Sequence, residues 1–128
     1  MAGEGRPLVM LVDDDEATLY ALGRWLDLGG YRTVTASNGA EALQQLRSGL
    51  RPAVILLDMR MPEMDGAEFR ALQRADAELA EIPVVLVTEQ PHPHRHTDPL
   101  AVDDYFPKSA RPELLLEIVR RYAEPATA

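Results

Sequence analysis

Three apolar runs in this chain each stop at a residue suited to phosphate chemistry. Val9 to Val12 ends at Asp13-Asp14, Ala53 to Leu57 at Asp58, and Val84 to Val87 at Thr88. Short continuous apolar runs suit strands buried on both faces, as in a parallel sheet covered by helices. In an open sheet of that kind the carboxyl ends of the strands share one edge, and ligands bind there. Residues far apart in sequence then meet in one site. A fourth, shorter run, Tyr105-Phe106-Pro107, carries Lys108 toward the same edge. Carboxylates, a hydroxyl and an ammonium brought together suit metal-assisted phosphoryl chemistry.

Between the runs lie segments of helical period. Leu19, Leu22 and Leu26 recur at i, i+3 and i+7, with Gly29-Gly30 as the stop, so an amphipathic helix follows the first strand. Thr33, Val34 and Thr35 make a short β-prone run within Arg32 to Ala36. Asn38 with Glu41 three residues on resembles a capping box, ahead of a helix marked by Leu43 and Leu46. After Asp58, the stretch Met61-Pro62-Glu63-Met64-Asp65-Gly66 reads as a loop leading into a helix that buries Phe69 and Leu72. A last helix starts near Pro112 and presents Leu114, Leu115, Ile118, Val119 and Tyr122 on one face. Five strands alternating with four clear helices predict a doubly wound α/β fold. Between the fourth and fifth strands, Pro91, Pro93 and Pro99 allow at most a short helical turn around Leu100 to Asp103.

At 128 residues and 46% hydrophobic content the chain has the size and core material of one domain, set at 7–122 with flexible termini 1–6 and 123–128. The formal net charge of -8 disfavours nucleic acid and anionic membranes as direct partners, and points instead to a protein or a cation. The absence of cysteine excludes disulfides, thiolate metal sites and cysteine nucleophiles. No run approaches the roughly 18 apolar residues of a membrane span. The expected location is the cytoplasm.

Successive side chains on a strand alternate faces and an unpaired buried carboxylate is costly, so Asp13 and Asp14 cannot both enter a core. At a strand end both reach the rim, where Asp58 joins them. Such a cluster needs a cation. Mg²⁺ is the natural one, with Mn²⁺ as a substitute, because it takes hard oxygen ligands and pairs carboxylates with phosphate oxygens. Asp58, alone at the end of an apolar strand and exposed at the sheet edge, is the expected nucleophile, and an attack on phosphorus would give an acyl phosphate. Asp13 and Asp14 are better suited to holding metal. Lys108 would bind a phosphoryl oxygen as a point charge, and Thr88 would donate a hydroxyl hydrogen bond to another.

The order and content of four segments resemble the receiver domain of two-component response regulators, in particular the single-domain chemotaxis type. They are Leu11-Val12-Asp13-Asp14, Leu56 to Gly66 around Asp58, Val84 to Thr88, and Tyr105-Phe106-Pro107-Lys108. The resemblance implies a flavodoxin-like fold with strand order 2-1-3-4-5. It implies that Asp58 accepts a phosphoryl group from a histidine kinase or histidine phosphotransfer protein, and that Mg²⁺ is held by Asp14, Asp58 and the backbone carbonyl of Arg60, with Asp13 acting through water. Thr88 and Tyr105 would form the switch pair that alters the face built by the fourth helix, fifth strand and last helix. Arg60 and Gln90 fall where the family tunes hydrolysis. The output would be a downstream effector protein or a fused domain.

Three departures from the family pattern cluster near the switch. Glu89 stands where a small residue usually follows the hydroxyl. Ser109, not proline, follows Lys108, and a cis bond without proline costs about 2.5 to 4 kcal/mol. The fourth-helix region is rich in proline, so a shortened or irregular helix is expected there.

Simpler readings apply to other residues. Asp15 reads as a helix cap, not a ligand. His92, His94 and His96 read as a solvent-exposed loop, not a Zn²⁺ site. Trp25 is expected to pack partly against the core, and Met59, Met61 and Met64 to cover its edge. Two competing functions are a receiver-like interaction module not regulated by phosphorylation, and a Mg²⁺-dependent aspartyl-phosphate phosphohydrolase. The first is opposed by the complete set Asp14, Asp58, Thr88 and Lys108, the second by the absence of a cap domain. The leading reading is a phosphoacceptor signalling domain that catalyses only its own phosphorylation and dephosphorylation.

Overall fold

Each apolar run forms a strand, and each strand lies parallel to its neighbours. The computed structural model describes residues 5–59, 61–89 and 101–125. Its strands are β1 (Leu8–Val12), β2 (Arg32–Ala36), β3 (Val54–Asp58), β4 (Val84–Thr88) and β5 (Asp104–Pro107), in the order β2-β1-β3-β4-β5. The helices are α1 (Glu16–Leu28), α2 (Gly39–Arg47), α3 (Gly66–Ala75) and α4 (Pro112–Arg120). This is the doubly wound α/β sheet that the alternating pattern predicts, in the flavodoxin-like order that the family resemblance implies. The proline- and histidine-rich stretch 90–99, with its expected irregular helix, lies outside the described residues.

Strand alternation divides the interior into two cores. Val9, Leu11, Val54, Leu56, Val85, Val87 and Phe106 face Leu22 and Leu26 of α1 and Leu115, Ile118 and Val119 of α4. Met10, Val12, Ile55, Leu57 and Val84 face the other way, toward Leu43 and Leu46 of α2 and Phe69 of α3. Burying each Leu or Val side chain contributes about 1.5–3 kcal/mol, so a polar replacement in either row would be severe. Trp25 packs on the first core from a partly buried position, and Met61 and Met64 pack on the edge of the second.

Two local expectations differ from the structure. Asn38 Oδ1 does accept from the Glu41 backbone at 2.8 Å, but Glu41 returns its carboxylate to Ser37 instead of Asn38. The reciprocal capping box is at Asp65 and Glu68, at the start of α3. The second difference is Leu72, which is 39% exposed, whereas Arg70 and Gln73 are buried on α3. Gln73 Nε2 donates to the carbonyls of Leu79 (2.9 Å) and Ile82 (3.0 Å), while Arg70 donates to Gln73 Oε1 (2.8 Å) and the Ala101 carbonyl (2.6 Å). These side chains satisfy loop carbonyls that the fold removes from water, which a leucine cannot do.

Candidate phosphoryl site

The carboxyl ends of β1, β3, β4 and β5 deliver the candidate residues to one edge. The register pairs Val12 with Leu57, Asp58 with Val87, and Thr88 with Pro107, so Asp13, Asp58, Thr88 and Lys108 follow from adjacent positions. The Lys108 backbone N–H donates to the Thr88 carbonyl at 2.7 Å, which fixes the lysine's chain beside β4. No peptide bond is cis among the described residues, the Lys108–Ser109 bond included. Lys108 reaches the site all the same.

Lys108 Nζ stands 3.3 Å from Asp13 Oδ2 and 3.4 Å from Asp58 Oδ1. Asp13 is buried and Asp14 exposed, as alternation requires of adjacent residues. Asp13 Oδ1 accepts from the Asp15 backbone N–H at 2.9 Å, and Asp15 in turn caps α1 by accepting from the Thr18 N–H at 3.1 Å. Asp58, at 9% exposure, is more enclosed than its strand-end position suggests. Together with Asp14, Thr88, Glu89 and Lys108 it lines an open cavity of about 730 Å³.

The electrostatics follow from this crowding. Burial, then the neighbouring Asp13 charge and more weakly Asp14, raise the Asp58 carboxyl above its ordinary value against the pull of Lys108. For Lys108, burial disfavours the ammonium, but the facing Asp13 and Asp58 outweigh it and hold the pKa above the usual value.

The residues fit a hard divalent cation. Asp13, Asp14 and Asp58 each offer an oxygen, all within 4.8 Å of one another. Asp13 Oδ2 is buried without a hydrogen-bond donor among the described residues, although Lys108 balances part of its charge. A buried acceptor left in that state is costly unless a donor or cation completes it. Arg60, whose carbonyl the family resemblance assigns to the metal, and Gln90 lie outside the described residues. Tyr105 pairs with Leu86 in the sheet, on the same face as Thr88 and two residues along.

The family model of the response regulator receiver domain matches residues 9–120. The chain belongs to this family. The receiver domain is 33% identical over 114 residues to the response regulator MprA of Mycobacterium ulcerans, covering 88% of this chain and 48% of MprA. It superposes on the chemotaxis response regulator CheY4 of Vibrio cholerae with a TM-score of 0.82 at 28% identity, over 91% of this chain and 98% of that one. A phosphorylated cyanobacterial phytochrome response regulator, RcpA, is similar with a TM-score of 0.76 at 30% identity, over 95% and 97% of the two chains. The chain spans between about half and two thirds of the length of the curated relatives it matches. Among the described residues no helix is long and apolar enough to cross a membrane.

Two features that hold the cluster carry no signal in the sequence. The hold of Asp13 by the Asp15 N–H depends on the turn between β1 and α1. The close fit of Gly66 behind Asp58, where an added Cβ would lie 2.7 Å from the Asp58 carbonyl oxygen, depends on how α3 starts.

Proposed function

We propose that this receiver domain accepts a phosphoryl group on Asp58 from a histidine kinase or a histidine phosphotransfer protein and thereby switches a protein-interaction surface. The observation that carries this reading is the Asp13–Lys108–Asp58 arrangement, with Asp14 completing a cluster of three carboxylates. Of the two carboxylates facing Lys108, the Asp58 side chain is the more accessible, 12% against 5% for Asp13, whose Oδ1 is already engaged by a backbone N–H.

In the reaction an Asp58 oxygen attacks phosphorus, the bond to the donor imidazole nitrogen breaks, and the imidazole leaves with the electron pair and takes up a proton. The product is an acyl phosphate. Asp14 and Asp58 would hold Mg²⁺, or Mn²⁺, with Asp13 supporting it through water. The bound cation would offset charge on the transferring oxygens. Lys108 stays protonated beside Asp58 and contacts a phosphoryl oxygen, and Thr88 donates its hydroxyl to another. The phosphoryl group adds about -1.5 to -2 charges. Thr88 and Tyr105 share a face of β4 and β5, so a shift of the hydroxyl toward the phosphate frees space along that face for the ring. The phosphorylated state of the similar RcpA supports the reading.

The domain acts on itself alone and turns over no separate substrate. Its location is the cytoplasm, where histidine kinases present their phosphodonors, and its output is a separate effector or a domain fused to it. Beryllofluoride tests the site, since it adds to an aspartate only where a carboxylate and divalent metal are correctly placed. With Mg²⁺, amide resonances of residues 58–59 and 86–89 should shift in wild type and remain fixed in Asp58→Ala. Equal shifts in both proteins would overturn the assignment.

A further inference from the structure

The loop that follows Asp58 is held from two sides. On one side Gly66 donates its N–H to the Met59 carbonyl at 2.9 Å and starts α3 directly behind Asp58. On the other, the start of α2 reaches across: the Gly39 N–H donates to the Met64 carbonyl at 2.9 Å, and Asn38 Nδ2 donates to Glu63 Oε2 at 3.2 Å. Gly39 is needed for this approach, because an added Cβ would lie 2.9 Å from the Met64 carbonyl oxygen.

Two details single out the Asn38–Glu63 contact. Glu63 has a φ of 63°, in the left-handed region that a residue with a side chain seldom adopts without something to hold it. The other acidic side chains nearby are committed elsewhere: Glu41 to Ser37, and Asp65 to the N–H of Glu68. Asn38 also has a divided role, since its Oδ1 caps α2 through the Glu41 N–H while its Nδ2 serves Glu63.

We propose that Asn38 is a positioning residue for the phosphoacceptor loop, acting through Glu63 to keep the left-handed turn that aligns residues 61–65 in the loop after Asp58. This rests on the reading of the carboxylate cluster as a Mg²⁺ and phosphoryl site. The divided role makes it testable. Asn38→Asp keeps the capping acceptor, as Asp and Asn cap equally well, but sets a carboxylate against Glu63. Glu63→Gln in the same chain restores a donor–acceptor pair with the roles exchanged, and Glu63→Ala removes the acceptor while leaving the cap untouched.

The full chain is compared in four forms: wild type, Asn38→Asp, Glu63→Ala and the Asn38→Asp/Glu63→Gln double variant. The readouts are thermal midpoint, metal-free amide shifts of residues 61–65, Mg²⁺ affinity, and the rate of Asp58 phosphorylation by acetyl phosphate. Asn38→Asp and Glu63→Ala should move the same loop resonances and weaken Mg²⁺ binding about threefold to tenfold, with helix content unchanged. The double variant should return to within about twofold of wild type, as expected of two directly coupled residues. Loop shifts and Mg²⁺ affinity equal to wild type in both single variants, or a loss that the double variant does not recover, would overturn the proposal. If wild type binds Mg²⁺ but is not phosphorylated, the Asp58 assignment fails while the loop shifts and metal affinity still judge Asn38.

Discussion

Lys108 Nζ lies 3.4 Å from Asp58 Oδ1 while also facing Asp13 at 3.3 Å, so a single ammonium balances two enclosed carboxylates from different strands. Lys108 is the only lysine in the chain. Lys108→Ala should therefore destabilise the metal-free protein by about 1–3 kcal/mol, below the range for a fully buried pair because its side chain is 23% exposed. Urea unfolding checks the value. Added Mg²⁺ should recover much of the loss, because it supplies the missing positive charge.

Asp58 makes the stability of the metal-free protein depend on pH in a direction unusual for a carboxylate. Its folded pKa is raised, so the contribution is fully present below the unfolded value of 3.8 and is lost as pH rises through the folded pKa. Asp58→Asn removes that loss. The thermal midpoint of the variant should exceed that of wild type near neutral pH, and the gap should narrow as pH falls toward the unfolded value of 3.8. Saturating Mg²⁺ should narrow the gap at neutral pH. A midpoint for Asp58→Asn below wild type at neutral pH without metal would contradict the electrostatic picture.

Mg²⁺ itself should stabilise the fold. At a concentration one hundred times its Kd the gain is about 2.7 kcal/mol, and EDTA should reverse it. Asp14→Ala should abolish most of this gain while changing metal-free stability by less than about 0.5 kcal/mol, since Asp14 is exposed.

Two glycines should respond in opposite ways to alanine. At Gly66 the new Cβ meets the Asp58 carbonyl oxygen at 2.7 Å, so Gly66→Ala should cost about 1–3 kcal/mol and slow phosphorylation by moving Asp58. At Gly23, within α1, the nearest atoms are 3.8 and 3.9 Å away, so Gly23→Ala should raise stability by about 0.5–1 kcal/mol through helix propensity. Chemical denaturation of the two variants compares them directly.

Much of this architecture was legible in the sequence because one physical requirement fixed it. A strand buried on both faces must be apolar, and β1, with β3 and β4 up to their final Asp58 and Thr88, satisfies that requirement. The phosphate-suited residues that end those runs then had to share the edge where the structure places them. On α3, by contrast, the apolar pattern pointed to Leu72, while the buried positions belong to Arg70 and Gln73 because the loops at Leu79, Ile82 and Ala101 present carbonyls that need donors. Those loops are tertiary features with no local signal. The capping boxes show the same limit: Asn38-Glu41 and Asp65-Glu68 carry the same spacing, yet only Asp65-Glu68 closes reciprocally, since Glu41 is drawn to Ser37. The division between buried Asp13 and exposed Asp14 follows from alternation, but which of the two turns inward depends on strand register.

Glu89 borders the cavity as an exposed carboxylate beside Thr88. Its charge opposes an incoming anionic phosphodonor. Glu89→Ala should raise the rate of phosphorylation by acetyl phosphate roughly two- to fivefold, with a smaller effect at high salt, where the field is screened.

Intact-mass measurement after incubation with acetyl phosphate and Mg²⁺ tests the phosphoacceptor assignment most directly. Wild type should gain the mass of one phosphoryl group, lose it on treatment with hydroxylamine as an acyl phosphate does, and show no gain when EDTA replaces Mg²⁺. Asp58→Ala should remain at its starting mass throughout. A gain of the same size in Asp58→Ala, or none in wild type under conditions where Mg²⁺ is bound, would contradict the assignment of Asp58 as the phosphoryl acceptor.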